Sequence, residues 1–259
     1  MRILGYSHAL LGIVCLLGTG AAAIADVTNA ASNLTLTVQP GGPRTTTSGT
    51  NFLNVEGSNN GTFASWGLVG FQASSFGLTG NVSVSSLTIS FTESNAAFSA
   101  PGDLIFFLTT DRTEGYNNTT LPPILTYNSS AGEAGYDPAN ASFSGMQGYG
   151  FQLGTGAFTH LGSGGNGTVD SYRFDLSALA DAQAWLNAAI TTEGEFHLVV
   201  GSASPGLAAT WAGATSTSFS GPTMDLTYTQ VPESGPGLAA LAAGSLVLVS
   251  YRRRRDAGA

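Results

Sequence analysis

Residues 82–91 read VSVSSLTISF, and this stretch decides the fold. Apolar and polar side chains alternate in both of its halves, which predicts a β-strand with one buried face. The alternation changes phase between Val84 and Leu87, because two serines separate them where strict alternation needs one. One extra residue in a strand is typical of a β-bulge, so we expect a bulge at Ser85-Ser86.

Shorter segments of strand character lie on both sides of this stretch. Residues 33–38 alternate, with Leu34, Leu36 and Val38 on one face and threonines on the other. Turn-forming residues separate the segments, and Asn60-Gly61 suits a tight hairpin. The other predicted strands cover residues 52–55, 62–71, 104–108, 149–153, 157–161, 168–174, 196–200, 207–211 and 222–229.

Two segments differ from this pattern. Residues 104–108 are continuously apolar, which predicts a central strand covered on both faces. Residues 177–190 have helical periodicity, with Ser177 as the expected N-cap and Leu179, Ala182, Leu186 and Ile190 on one stripe. The sequence therefore predicts an all-β, jelly-roll-like antiparallel β-sandwich with one short amphipathic helix, over residues 26–229.

Composition restricts the partners. The chain has 8 basic residues, all of them arginine, against 16 acidic ones, which gives a net charge of −8. The body, residues 26–230, has only Arg44, Arg112 and Arg173 against 14 acidic residues. Nucleic acids require clustered Lys or Arg, so we expect no nucleic-acid partner. The one cysteine, Cys15, lies in the apolar amino-terminal segment. A sandwich at residues 26–229 would therefore contain no disulfide.

The amino terminus has the pattern of a secretory signal peptide. Arg2 precedes an apolar run at residues 9–17, and small residues then provide cleavage sites after Ala23 or Ala25. We expect residues 1–25 to be this signal and the protein to be exported.

Three features follow one another at the carboxyl terminus, in residues 230–255. An uncharged run at residues 235–251 would span roughly 25 Å as a helix, slightly less than a ~30 Å hydrocarbon core. A turn-rich motif at residues 231–237 precedes it, with Val231, Pro232, Glu233, Ser234 and Gly235 at its start. A basic cluster, residues 252–255, follows it and consists of Arg252, Arg253, Arg254 and Arg255. Clustered arginines resist translocation, so the pattern predicts a transmembrane helix with the body outside the cytoplasm.

This carboxyl-terminal pattern resembles the PEP-CTERM sorting signal of Gram-negative bacteria that export exopolysaccharide. The family motif reads Val-Pro-Glu-Pro, and this chain departs from it at Ser234; Ser234-Gly235 is similar to a Val-Pro-Asp-Ser-Gly variant. The resemblance implies an exosortase-type membrane protease as a partner, transient attachment to the inner membrane, and release to the cell surface or extracellular matrix. Residues 54–71 are also similar in texture to jelly-roll domains found upstream of such tails, which implies a surface or matrix β-sandwich.

Candidate site residues are few. Trp211, beside Ala212-Gly213, could stack on a sugar ring, whereas Trp66 and Trp185 suit core packing. Glu56 and Glu93 could form the paired carboxylates of a glycosidase. His197 alternates with apolar neighbours and is expected to be a surface or packed residue. A structural Ca²⁺ could be held by acidic residues beside glycine-rich turns, namely Asp103, Asp170 and Asp175. No catalytic constellation or spaced metal motif is present in the sequence, so we expect neither enzymatic activity nor another cofactor.

Three functions remain open at this point. The first is a structural or interaction protein of the cell envelope or extracellular matrix. The second is a carbohydrate-binding module acting on exported polysaccharide, and the third is a hydrolase of that polymer. An exposed aromatic platform in a groove would favour the carbohydrate-binding module. Convergent buried carboxylates in a cleft would favour the hydrolase.

Overall fold

The computed structural model describes residues 25–39, 42–44, 51–109, 150–159 and 164–231. Twelve strands and one α-helix are formed by these residues, and short single-turn helices connect some of them. The strands are β1 (Asp26–Ala31), β2 (Leu34–Gln39), β3 (Gly42–Pro43), β4 (Phe52–Glu56), β5 (Trp66–Gln72), β6 (Val82–Thr92), β7 (Gly102–Thr109), β8 (Gly150–Phe158), β9 (Val169–Asp175), β10 (Glu195–Ser202), β11 (Ala208–Ala212) and β12 (Thr223–Gln230). The helix α1 is Ala180–Ala188.

The strands pair only antiparallel and form two main sheets in this part of the chain. A four-stranded sheet has the order β1-β12-β6-β9, and a six-stranded sheet has the order β3-β2-β5-β10-β7-β8. Strands β11 and β4 form a separate pair. The prediction of an all-β sandwich with one short helix is confirmed at this level.

The stretch that decides the fold is β6, the longest strand of the four-stranded sheet. Its pairing with β12 slips by one residue, since Ser86 faces Thr227 and Val84 faces Tyr228. Ser85 is therefore the extra residue, and the predicted bulge is confirmed. The bulge lets Val84 and Leu87 both reach the core.

The main core lies between the four-stranded sheet and one face of the six-stranded sheet. Strand β7 lies between β10 and β8, and residues 104–109 are all buried, as the apolar run predicts. The aromatic part of the core includes Phe71, Phe91, Phe106, Phe158 and Phe196. A second apolar cluster lies on the other face of the six-stranded sheet and includes Val38, Trp66, Leu68, Ile105, Phe107 and Val199.

Strand β2 alternates as predicted, but its threonines are the more deeply buried side chains. Thr35 and Thr37 are buried, whereas Leu34 and Leu36 are only partly buried against the second cluster. Backbone N–H groups of Ala214 and Asn54 donate to the hydroxyl oxygens of Thr35 and Thr37, each across 2.9 Å. Burial of these hydroxyls is tolerated because they are hydrogen-bonded.

Three predicted elements need correction. The α-helix begins later than residue 177, and its N-cap is Leu179, without a side-chain cap, instead of Ser177. Past Ala188 it continues as a π-helical turn, Ala189–Glu193, which contains Ile190. The strands predicted at residues 149–153 and 157–161 include one continuous strand, β8, whose pairing with β7 shifts between Phe106 and Phe107. Asn60-Gly61 lies in a short 3₁₀ segment, Ser58–Phe63, and not in a two-residue hairpin turn.

The predicted signal peptide and sorting segment fall almost wholly outside the described residues. Ala25 is exposed immediately before β1, and Val231 is 42% exposed and donates its N–H to the Asn81 carbonyl across 2.9 Å. Ala23, Pro232, Glu233, Ser234, Gly235 and the arginines at 252–255 lie beyond this range. Within it, no helix has the length and apolar character needed to cross a bilayer.

Candidate functional site

An open cleft of about 490 Å³ lies over the β4–β11 pair. Alternate residues of the two strands form its floor, while the intervening residues Leu53, Val55, Ala209 and Trp211 point into the main core. This alternation gives the strand pair one apolar and one mixed polar face. The described lining residues are Arg44, Phe52, Asn54, Glu56, Asn60, Phe63, Asn95, Phe98, Ala208 and Thr210.

A hydrogen-bonded chain of side chains runs along the floor. The Arg44 guanidinium donates to Asn54 Oδ1 across 3.1 Å, and Asn54 Nδ2 donates to Thr210 Oγ1 across 3.0 Å. The Asn54 backbone N–H is bound in turn to the Thr37 hydroxyl. Asn54 and Thr210 are buried, and the hydrogen bond to Asn54 holds the Arg44 guanidinium below the opening.

Two phenylalanines at the edge of the cleft are unusually exposed. Phe63 is 64% exposed and Phe98 is 74% exposed, and both line the opening. Each lies in or at the end of a short 3₁₀ segment, Ser58–Phe63 and Ala96–Phe98. Exposed aromatic side chains that border a pocket with polar groups are the usual composition of a ligand-binding site, so the two rings mark this cleft as a candidate.

The segment that carries Phe63 is fixed to the loop before β11. Asn60 Nδ2 donates to the Leu207 carbonyl across 2.8 Å, and the Gly57 N–H donates to the same carbonyl, also across 2.8 Å. A Cβ at Gly57 would lie 2.3 Å from the Ser204 carbonyl oxygen. Only glycine permits this close approach of two backbones, so the Phe63 side of the cleft is held rigidly.

The described lining residues of the cleft include one carboxyl group, that of Glu56, and one guanidinium, that of Arg44. Burial raises the pKa of Glu56, and the positive charge of Arg44 partly opposes the rise. The charges of the two groups offset each other, and the other polar lining groups are uncharged amides and a hydroxyl. The site therefore offers hydrogen bonds without a strong net charge.

A second cavity, of about 470 Å³, lies between β8 and the start of α1. Its described lining is mainly apolar, with Gln152 and Asp181 as the polar side chains. It has few groups that could orient a polar ligand, so the β4–β11 cleft is the stronger candidate site.

Trp211 does not form a sugar platform, and the prediction of stacking there is wrong. Its side chain is completely buried, stacks on Phe91 at a centroid distance of 4.6 Å, and meets Phe158 edge-on. The indole N–H donates to Asp170 Oδ2 across 2.9 Å. Strand alternation turns Trp211 inward, whereas its neighbour Thr210 faces the cleft.

Glu56 and Glu93 do not face each other. Glu56 lies in the cleft, whereas Glu93, 1% exposed, pairs with Trp211 on the core side of β11. Two carboxylates on opposite faces of one strand layer cannot flank the same glycosidic bond. The arrangement required for the hydrolase hypothesis is therefore not formed by this pair.

The other predicted residues are dispersed. Asp103 and Asp175 are exposed, while Asp170 is partly buried beside Trp211, so the three aspartates do not converge. His197 is buried on β10, with Nε2 3.5 Å from Glu195 Oε1. No group of three acidic, histidine or cysteine ligands occurs within the described ranges.

Sequence reasoning missed Arg44, Phe63 and Phe98. Phe63 directly follows the turn-forming residues Asn59-Asn60-Gly61-Thr62 at the start of the predicted strand 62–71, and Phe98 lies three residues after Ser94-Asn95. An aromatic residue close to turn-forming residues is the sequence feature that could have indicated an exposed ring.

The fold and the cleft define an antiparallel β-sandwich protein with an aromatic-edged, polar-floored surface site. Comparison with known proteins adds no narrower class, since the sequence matches neither a protein-family profile nor a curated protein.

Proposed function

We propose that this protein is an exported, jelly-roll-like interaction protein that binds a neutral polysaccharide in the β4–β11 cleft. The observation that carries the proposal is the position of two exposed rings, Phe63 and Phe98, above a floor of amide, hydroxyl and guanidinium groups. Sugar rings have apolar C–H faces and polar edges, so they are complementary to such a surface.

Charge favours a neutral ligand. The chain has a net charge of −8, which repels a polyanion at long range. Within the cleft, Arg44 is already engaged by Asn54, and although burial raises the pKa of Glu56, the charge of Arg44 is close enough to oppose that rise. A single offset guanidinium is a weak basis for selecting anionic sugars, whereas amides suit hydroxyl groups.

A panel of neutral and anionic bacterial polysaccharides tests the proposal. The full-length chain should be purified in a detergent without a sugar headgroup and titrated with each polymer. We expect neutral polymers to bind, and F63A and F98A each to weaken binding about tenfold, the effect of a ~1.4 kcal/mol contact. V27A and V169A are matched controls, because these valines are 61% and 57% exposed on other strands. Unchanged affinity in the double variant F63A/F98A would refute the assignment.

We also propose that the carboxyl-terminal pattern anchors and sorts this protein. The support is the sequence order of Val231-Pro232-Glu233, the uncharged residues 235–251 and the arginines at 252–255. An exosortase-type protease would recognise the motif at the inner membrane and release the sandwich to the cell surface or matrix.

Protease accessibility in an exosortase-bearing host tests this second proposal. Protease added outside the inner membrane should digest the sandwich, and the variant P232A/E233A should retain its tail on mass analysis. Protection of the sandwich until the cells are lysed would contradict export. Loss of the tail from the variant at the normal rate would contradict recognition of the motif.

A further inference from the structure

A buried polar cluster lies behind the cleft, where β6 ends and β9 begins. Glu93 is 1% exposed and its Oε1 has no hydrogen-bond partner. Tyr172 is 7% exposed, and its hydroxyl also lacks a partner. Leaving such groups unsatisfied in a core is costly, and native structures usually supply a water or an ion.

The pairing register of β6 and β9 brings Asp170 close to Glu93. Phe91 pairs with Asp170, and beyond the strand end the Glu93 N–H donates to the Thr168 carbonyl across 2.8 Å. Glu93 and Asp170 are therefore diagonal neighbours on the inward face of an antiparallel pair, a distance that side chains can bridge. Tyr172 follows Asp170 by two residues on β9, so its side chain lies on the same inward face of the sheet.

Within the described residues, no basic side chain neutralises this pair. Arg173 is exposed on the outward face of β9, Arg44 is bound to Asn54, and His197 lies beside Glu195. The protein donor that reaches the cluster is the neutral Trp211 indole, which binds Asp170 Oδ2. Buried Glu93 and partly buried Asp170 therefore face each other without a counter-charge from the described side chains, an arrangement that a bound cation would stabilise.

We propose that Glu93, Asp170 and Tyr172 form a Ca²⁺ site, with backbone carbonyl oxygens and water completing the coordination shell. The available donors are hard oxygen atoms, which Ca²⁺ accepts in six to eight irregular positions, whereas Mg²⁺ requires a near-ideal octahedron. The site has two carboxylates and not three, so we expect a dissociation constant on the order of 10⁻⁴–10⁻³ M, the range of extracellular modules.

The site would also stiffen the cleft, a consequence that rests on the proposed polysaccharide binding. Residues 94–98 follow Glu93 directly and carry Asn95 and Phe98 to the cleft. The Ser94 N–H donates to the Thr210 carbonyl across 3.0 Å, and the Ala96 N–H donates to Asn166 Oδ1 across 2.7 Å. A cation at Glu93 would fix the start of this segment and thereby the position of Phe98.

Calcium binding is measured on the full-length chain after treatment with EDTA. We expect saturable heat on titration with CaCl₂, and Tb³⁺ emission sensitised by Trp211 that excess Ca²⁺ displaces. E93Q and D170N should each weaken Ca²⁺ binding at least tenfold, while D103N and D175N, which alter exposed aspartates, should not. Y172F removes only the hydroxyl and should weaken binding severalfold, which keeps the test valid if a carboxylate variant fails to fold.

Absence of Ca²⁺ binding at millimolar concentration, or binding by E93Q equal to that of the unaltered chain, would overturn the site. Polysaccharide titrations with Ca²⁺ and with EDTA then test the link to the cleft. We expect at least threefold weaker polysaccharide binding in EDTA; equal affinity would overturn the link alone. Ca²⁺ binding without any polysaccharide binding would leave the site standing and refute the proposed function.

Discussion

The indole N–H of Trp211 donates to the carboxylate of Asp170 across 2.9 Å, and this bond joins β11 to the four-stranded sheet. Burial raises the pKa of Asp170, and the hydrogen bond from Trp211 opposes the rise. Trp211, which the sequence suggested for sugar stacking, instead connects strand β11 to the four-stranded sheet.

Replacing Trp211 by phenylalanine tests this connection. W211F leaves Asp170 without its donor and a gap beside Phe91, so we expect the free energy of unfolding to fall by about 1–3 kcal/mol. Urea denaturation measures the change. W185F is the control, because Trp185 is only partly buried at the edge of the core. An equal loss in both variants would contradict a special role for the Trp211–Asp170 bond.

The floor network gives a second prediction. N54A removes the acceptor for Arg44 and the donor for Thr210, so we expect a loss of about 1–3 kcal/mol in the free energy of unfolding. N29A, which removes only a solvent-exposed hydrogen bond from Asn29 Nδ2 to Asp225 Oδ1, should change it by less than about 0.5 kcal/mol. If urea denaturation gave N54A and N29A the same free energy of unfolding, the hydrogen bonds of the cleft floor would contribute little to stability.

Gly57 and Gly206 form a matched pair for the rigidity of the Phe63 segment. A Cβ at Gly57 would collide with the carbonyl oxygens of Ser204 and Pro205, at 2.3 Å and 2.4 Å, whereas a Cβ at Gly206 meets nothing within 4 Å. We expect G57A to destabilise the fold by about 1–3 kcal/mol, the usual effect of overpacking, and to weaken polysaccharide binding. G206A should be close to neutral. Equal melting temperatures for G57A and G206A would contradict the role of the close contact at Gly57.

The pair Glu195 and His197 predicts a pH dependence. The hydrogen bond from His197, with a smaller one from Asn33, holds the pKa of Glu195 below its ordinary value of 4.5, although burial opposes the shift. The unfolded chain therefore binds more protons just below pH 4.5, and the stabilisation is full above that value and lost as pH falls through the folded pKa. We expect E195Q to lower the melting temperature near pH 6 and to approach the unaltered chain near pH 3. A difference that stays constant with pH would exclude this linkage.

How far the sequence predicted the structure depends on the type of signal. Alternation in β6 fixed both the strand and its bulge, because the pattern of inward residues must follow the pleat. The exposure of Phe98 and the burial of Trp211 depend instead on which strand or loop packs against each residue. The type of a residue alone does not reveal its packing partners. Glu93 has the same difficulty: in the sequence it resembles any surface carboxylate, and only the pairing of residues 93 and 168 carries it inward.

The pairing of β1 with β12 has a consequence for presentation. Asp26 lies opposite Tyr228, so the chain enters and leaves the sandwich at one pole, beside the Val82 end of β6. Glu93 and the cleft lie past the other end of this 11-residue strand, roughly 35 Å away at ~3.3 Å per residue. An attachment at the carboxyl end, as proposed above, would therefore act on the pole of the sandwich opposite Phe63 and Phe98.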